Sequence, residues 1–490
     1  MDKINYIGTR DKNIKATASE AILKGICSDG GLFIPEKFPK PDKSLEELSK
    51  LGYCDLAYEI LKLYLTDFTE DELRFCINNA YDEKFDTPEI APVAEKGGVS
   101  ILELFHGRTI AFKDMALSIL PYLMKTAAKK NGMDKEIVIL TATSGDTGKA
   151  ALEGFADVEG IKIIVFFPED GVSPVQKLQM TTQEGKNTCV VGIKGNFDDA
   201  QTAVKTIFTD NGLCCELEKK GFVFSSANSI NIGRLVPQIV YYFQAYLRMA
   251  DHGVITIGDE INVVVPTGNF GNILAGYFAN KMGLPVKTFI CASNENNVLF
   301  DFFSTGTYNK NRPFNVTNSP SMDILVSSNL ERLLAVAAGQ EKCRSLMESL
   351  NKTGEYSLDL SDTNIKGEWA TQAETNAAIK EMFEKCGYVL DTHTAVAYSA
   401  YKKYLAETGD RTKTVIVATA SPYKFTKDVL SAIDGKYASM DFFPLMDELE
   451  KISGVEIPSP IKGIENREIR HKTVIEKDGI KAFVKDYLTK

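Results

Sequence analysis

Two textures alternate along the chain. From Glu136 onward, short apolar runs rich in β-branched residues recur between segments of helical periodicity: IVILTAT (137–143), KIIVFFP (162–168), TCVVGIKG (188–195) and FVFSSAN (222–228), then INVVVPTG (261–268), VKTFICAS (286–293) and TVIVATAS (414–421). Runs this continuous, with no alternation of apolar and polar residues, belong to strands covered on both faces, hence to parallel sheets flanked by helices. Two series predict two α/β domains with a cleft between them. The N-terminal stretch differs: after a turn at Asp29-Gly30-Gly31 and a short buried strand over Leu32, Phe33 and Ile34, helical patterns run from Leu45 to Leu65 and from Glu70 to Ala80. The expected division is a mainly helical domain over 1–95, a first α/β domain over 96–245 and a second over 246–490. Stretches 305–320, rich in Asn, Thr and Pro, and 351–367 read as excursions over the surface or the cleft mouth. From Glu456 a Pro-rich turn leads to a charged amphipathic helix.

With 490 residues, 44% of them hydrophobic, the chain has material for a large core shared by two or three domains. Its net charge of -10, from 56 basic and 66 acidic residues, argues against nucleic acid or an acidic membrane as the partner. An anionic ligand therefore needs a locally positive site. No apolar run reaches membrane-spanning length, and the opening MDKINYIGTRDKN is too charged for a secretory leader, so the expected location is cytoplasmic. The nine cysteines form no C-x-x-C pair and have no histidines at ligand spacing, which predicts reduced core thiols and no metal. Four histidines leave few members for a histidine-based triad.

Ligands of parallel α/β sheets bind beyond the carboxyl ends of the strands, so the turns that follow them carry the candidate chemistry. One is HGRTIAFKDMALSILPYLM (106–124), which places Lys113 where a strand or turn passes into a helix. A helix N-terminus and partial burial both disfavour an ammonium, and a neutral lysine is the nucleophile that forms a Schiff base with an aldehyde. A second is Ser144-Gly145-Asp146-Thr147-Gly148 after strand 137–143, a cradle for an anion. A third is Pro266-Thr267-Gly268-Asn269-Phe270-Gly271-Asn272, a further cradle opening a helix. Neither cradle matches a dinucleotide fingerprint or a Walker loop. The last is Ala418-Thr419-Ala420-Ser421-Pro422, which offers small hydroxyls to a ring nitrogen or carbonyl. A lysine for an aldehyde, a cradle for a phosphate, another for a carboxylate and a hydroxyl for a pyridine nitrogen are the contacts that pyridoxal phosphate chemistry on an amino acid requires.

The stretches ELFHGRTIAFKD, TATSGDTG, SSANSINIGRLVPQIVYYFQAY and PTGNFGNILAGY, with the N-terminal YIGTR and SDGGLFIPE, resemble threonine synthases of the longer form that carries an N-terminal domain. The resemblance runs from residue 6 to about residue 425, although SGDTG alone is shared in related form across the tryptophan synthase β fold. It implies two α/β domains of that fold with pyridoxal 5'-phosphate between them, and conversion of O-phospho-L-homoserine and water to L-threonine and phosphate by γ-elimination and β-addition of water. Lys113 is then the Schiff-base lysine; Gly268, Asn269, Phe270, Gly271 and Asn272 hold the cofactor phosphate; Asp146 lies near the cofactor's 3-hydroxyl; and Thr419 meets the pyridine nitrogen, leaving it largely unprotonated. Ser144, Gly145 and Thr147 face the substrate carboxylate, and Asn228, Ser229, Asn231 and Arg234 its phosphate. The partner is a small molecule, and the enzyme a monomer or homodimer. The rivals are a serine or threonine dehydratase of the same fold, which has no use for the 228–234 stretch, and a non-catalytic cofactor-binding homologue, which would not need Lys113. Arg108 stands where the family has Pro in HGPT, and ASPYK (420–424) where it has AHPAK. Arg108 reads as solvated, His106 as a positioning residue, and Pro121 as a kink or early stop in the helix after Lys113.

Overall fold

The computed structural model describes residues 3–143, 145–170, 172 and 174–489; Ser144, one of the expected site residues, lies outside them. Both strand series form sheets. The larger has six strands in the order Ile365–Trp369, Val286–Ser293, Ile261–Pro266, Thr414–Ala418, Val99–Glu103 and Val93–Lys96, parallel except for the last pair. The smaller has five parallel strands in the order Val474–Glu476, Thr188–Lys194, Ile161–Pro168, Glu136–Ala142 and Phe222–Ser225. Successive residues of one strand enter different cores: Val263 and Val265 pack on one side of the large sheet, Val264 on the other with Ile290 and Ile416. Burial on both faces is the reason these runs are apolar throughout.

The sheets exchange strands across the expected domain boundaries. Val99–Glu103 falls within 96–245 yet pairs with Thr414–Ala418 in the large sheet, and Val474–Glu476 falls within 246–490 yet extends the small sheet beside Thr188–Lys194. Parallel partners lie far apart in sequence, and a three-residue edge strand such as Val474–Glu476 leaves no local pattern. One consequence bears on function. The loop that leads to Lys113 hangs from the same sheet as the turns after Pro266 and Ala418, so three of the candidate turns share one sheet edge.

Elsewhere the elements depart from expectation in detail. The 45–65 pattern breaks at Gly52 into Leu45–Leu48, with a capping box from Ser44 and Glu47, and Tyr53–Tyr64. Glu70–Ala80 forms as expected behind a Thr69–Glu72 box. The excursions contribute strands: Thr307–Asn309 pairs with Glu355–Ser357, and Ile365–Trp369 is an edge of the large sheet. After Lys113 the helix stops early, at Leu117; the next, Leu120–Lys130, takes Pro121 into its first turn, where a missing N–H is cheap. All nine cysteines are free, but Cys215 is exposed and not in the core. Among the described residues no helix is long and apolar enough to cross a membrane, and no cluster of side chains could hold a metal ion.

Candidate active site

Lys113 is fixed by its loop. Phe112 N donates to Thr419 O at 2.8 Å and Ser421 N to Ile110 O at 3.0 Å, stapling the loop to the turn after Thr414–Ala418. The Asp114 carboxylate accepts from Thr109 N at 2.8 Å and Thr109 Oγ1 at 2.7 Å, while burial pushes its pKa up to about 6. Gly107 passes so close that a Cβ there would lie 2.5 Å from Asp114 Oδ2. Ile110 is held at a φ of +52°, a strained value for a β-branched residue that persists only where surrounding bonds impose it. Lys113 immediately precedes the helix Asp114–Leu117, as expected, with 14% of its side chain exposed. Burial depresses its pKa; Lys424 and Arg234 push the same way, against Asp146 and Asp114.

Asp146 begins the helix Asp146–Phe155 after the small sheet's Glu136–Ala142 strand. Its carboxylate lies 3.8 Å from Lys113 Nζ and 3.0 Å from Lys424 Nζ. It also accepts from Gln176 Nε2 at 2.9 Å and Ser321 Oγ at 3.3 Å. Burial alone would raise its pKa, but Lys424 and Lys113 outweigh that and hold the group ionised, well below the usual carboxylate range. The expected carboxylate cradle is tight: Gly145 N and Gly148 N both donate to Thr143 Oγ1 at 3.0 Å. A Cβ on Gly145 would meet Gln176 at 2.4 Å. Thr147 is half-buried in the helix's first turn.

The turn after Ile261–Pro266 is shaped for an anion. Phe270 adopts a left-handed conformation at φ +65° and starts the helix Gly271–Lys281, whose first N–H groups have no intrahelical partner. Gly268 passes under Ser321, where a Cβ would lie 2.6 Å from the Ser321 carbonyl oxygen. Asn269 is exposed, its carbonyl accepting from Asn329 N at 3.0 Å and Asn329 Nδ2 at 3.1 Å. The buried Asn272 accepts at Oδ1 from Tyr241 and Tyr242 hydroxyls, at 2.6 and 2.7 Å, and its Nδ2 donor is left buried without a partner. An orphaned buried donor beside free helix N–H groups fits a phosphate. Thr419 is buried at the end of Thr414–Ala418.

Arg234 supplies the second call for an anion. It is buried in the helix Ile232–Leu235, donates from Nη1 to Ala227 O at 3.1 Å, leaves Nε unpaired, and has no carboxylate partner among the described residues. Burial lowers its pKa to about 10; a guanidinium in this condition is costly until an anion arrives. Asn228 is exposed and Ser229 half-buried beside it. Asn231 is committed to structure: its Oδ1 caps Gly233 N at 2.9 Å, and its Nδ2 donates to Ile22 O at 2.9 Å and Ser226 O at 3.1 Å.

Several residues enter that sequence patterns did not single out. Lys424 appeared there only within ASPYK, yet its side chain is 1% exposed and bound to Asp146. Ser321 accepts a place between Asp146 and His393, whose Nε2 receives Ser321 N at 3.1 Å while Nδ1 faces Asp391 at 3.1 Å. Arg332, entirely buried, donates to Phe33 O at 2.8 Å and also to Asn329 Oδ1 and Ile230 O. Arg108 is exposed.

Three family models match the chain. A family model described as pyridoxal-phosphate dependent enzyme matches residues 94–420, one described as threonine synthase N terminus matches 5–81, and one described as threonine synthase, C-terminal, matches 394–484. Threonine synthase-like 1 of Homo sapiens is 39% identical over 88% of the chain, and the chain spans 61% of the length of that relative. Threonine synthase of Schizosaccharomyces pombe is 37% identical, covering 90% of this chain and 91% of its own. The crystal structure of PLP-bound threonine synthase from Brucella melitensis superposes with a TM-score of 0.85 at 32% identity, over 99% of this chain and 100% of that one.

Proposed function

The chain belongs to the threonine synthase family of pyridoxal-phosphate-dependent enzymes, and we propose that it converts O-phospho-L-homoserine and water to L-threonine and phosphate. When bound, pyridoxal phosphate supplies an aldehyde for an amine and a conjugated ring that draws electron density from the carbon beside that amine. The remaining work falls to side chains. Lys113 would hold the cofactor at its aldehyde carbon and, as a free amine, would take the α proton and help move protons at the β and γ carbons. Gly268 to Asn272 would hold the cofactor phosphate, Asp146 its 3-hydroxyl and Thr419 its ring nitrogen. Ser144, Gly145 and Thr147 would receive the substrate carboxylate. Arg234, with Asn228 and Ser229, would bind the substrate phosphate and keep hold of it as it leaves the γ carbon, while Asn231, its amide already engaged by Ile22, Ser226 and Gly233, would shape the loop that carries them. Water then adds at the β carbon. The acidic net charge fits a small-molecule substrate better than nucleic acid or an acidic membrane surface, and the enzyme would be cytoplasmic and monomeric or homodimeric.

The observation that carries this reading over a dehydratase is the buried guanidinium of Arg234, whose Nε has no partner and which faces no carboxylate among the described residues. A substrate without phosphate would leave that charge uncompensated. Arg234→Leu removes a charge-assisted contact worth about 1.5–3 kcal/mol, so kcat/KM for O-phosphohomoserine should fall roughly tenfold or more. The visible absorption of the bound cofactor should not change, and slow turnover of serine or threonine should be indifferent. Equal losses on phosphorylated and unphosphorylated substrates would refute the assignment.

A further inference from the structure

Two buried amines face one carboxylate in this site. Asp146 Oδ1 lies 3.0 Å from Lys424 Nζ and its Oδ2 3.8 Å from Lys113 Nζ. The charged groups around the pair are few. Asp114 lies beside Lys113 but is held by Thr109. Arg234 adds positive charge on the Lys113 side. Lys149, which also feels Lys424, is closed off by Glu153 at 2.6 Å. The carboxylate is thus shared, and the sharing is unequal. Lys424 has the shorter contact and a second acceptor, the Thr109 carbonyl oxygen at 3.0 Å. Lys113 Nζ has no hydrogen-bond acceptor among the described residues and lies 5.9 Å from the Phe112 ring centre.

We propose that Lys424 is a positioning residue of this site: its enclosed ammonium engages Asp146 so that Lys113, at the other oxygen, is the amine of the pair left free to attack an aldehyde. Only an unprotonated amine has the lone pair that makes the carbon–nitrogen bond. Of two ammonium groups around one carboxylate, the one with the longer contact and fewer acceptors gives up its proton at lower pH. Lys424 acts twice, by neutralising the anion that would stabilise the Lys113 ammonium and by repelling that ammonium directly. Both effects agree with the depressed pKa of Lys113. Asp146 is left bound and oriented by Lys424 and Gln176 whatever the protonation of Lys113.

This role rests on the reading of Lys113 as the amine that takes the cofactor's aldehyde, and the test separates the two. Full-length protein freed of cofactor is labelled with trinitrobenzenesulfonate across the neutral to alkaline range, and the rate at each lysine is followed by peptide mapping. In the wild type, Lys113 should react with a midpoint below that of an exposed lysine. Lys424→Gln, which keeps a donor for Thr109 but no charge, should move the Lys113 midpoint up by about one pH unit or more. Lys424→Arg should leave it near the wild-type value. An unmoved midpoint in Lys424→Gln would overturn the proposal, and so would a wild-type Lys113 that reacts with the midpoint of an exposed lysine, an outcome readable even if Lys424→Gln does not fold. Borohydride reduction of the cofactor-loaded wild type tags the attached lysine. A tag elsewhere than Lys113 would refute the underlying reading, whereas the labelling midpoints bear only on Lys424.

Discussion

His106 has Asp86 Oδ1 2.6 Å from Nδ1 and Glu103 Oε2 3.0 Å from Nε2, so the ring satisfies both carboxylates only as imidazolium. Burial opposes the charge, but the two acids outweigh it and raise the pKa to about 9. A base must be free to accept a proton, and this ring already carries both; its place in HGRTIAFKD is that of a brace between Glu103 and Asp86. The folded pKa lies above the unfolded value of about 6.5. The stabilisation is therefore complete below about pH 6.5 and fades as pH rises through about 9. Thermal melts should show His106→Gln further below wild type near pH 6 than near pH 10, and a gap independent of pH would contradict the ion-pair assignment. Lys113 was legible at this scale because its flanks, Phe112 and Asp114, and the preceding strand are local. Lys424 was not: its partner Thr109 lies 315 residues away, and no local pattern marks a lysine as buried. Arg332 escaped for the same reason, since its acceptor Phe33 is 299 residues distant.

Between elements, the spacing of Lys113 and Asp146 is set by one close approach. The helix Asp146–Phe155 lies against the helix Asp114–Leu117 through Gly154, where a Cβ would fall 2.1 Å from Leu117 O, a backbone atom that cannot rotate away. Asp146 begins the first helix and Lys113 precedes the second, so the glycine fixes the distance between the two helices that carry them. Gly154→Ala should push the helices apart at an overpacking cost of about 1–3 kcal/mol, despite the better helix propensity of alanine. The Lys113 to Asp146 separation should grow with it, and cofactor affinity should fall by more than stability alone explains. A Gly154→Ala protein with unchanged or higher melting temperature would show that the approach has slack. Strand existence was readable from the apolar runs because both faces of each strand are buried. Pairing order was not, since Val99–Glu103 has equally apolar candidates on either sheet and finds Thr414–Ala418 only through tertiary packing. The break of the 45–65 helix at Gly52 had a visible cause, whereas the φ of +52° at Ile110 had none.

At the scale of the whole molecule, the N-terminal segment is wired to the turn at 268–272 proposed to hold the cofactor phosphate. Glu331 accepts from Arg10 Nε at 2.9 Å and Arg10 Nη2 at 2.8 Å, and also from Thr9 Oγ1. Its neighbour Arg332 holds Phe33 O on one side and Ile230 O and Asn329 Oδ1 on the other, and Asn329 in turn binds Asn269 O twice. Four segments distant in sequence, around residues 9, 33, 230 and 269, thus converge on the start of the helix Leu330–Ala338. The N-terminal segment thus braces the turn at Asn269 through Arg332 and Asn329. Glu331→Ala would strip the partly exposed Arg10 and the buried Thr9 hydroxyl of their acceptor, at a cost of about 1–3 kcal/mol. Because the helix it weakens also positions Asn329, the loss should be felt in the turn at Asn269 and not only in global stability. The expected outcome is faster native-state proteolysis near the Arg10 loop together with weaker pyridoxal phosphate binding, while Glu331→Gln, which keeps the shape and part of the hydrogen bonding, should fall between. If proteolysis accelerates in Glu331→Ala while cofactor affinity stays at the wild-type value, then Asn329 is held independently of the N-terminal segment, and the coupling inferred from the Arg332 bridge fails.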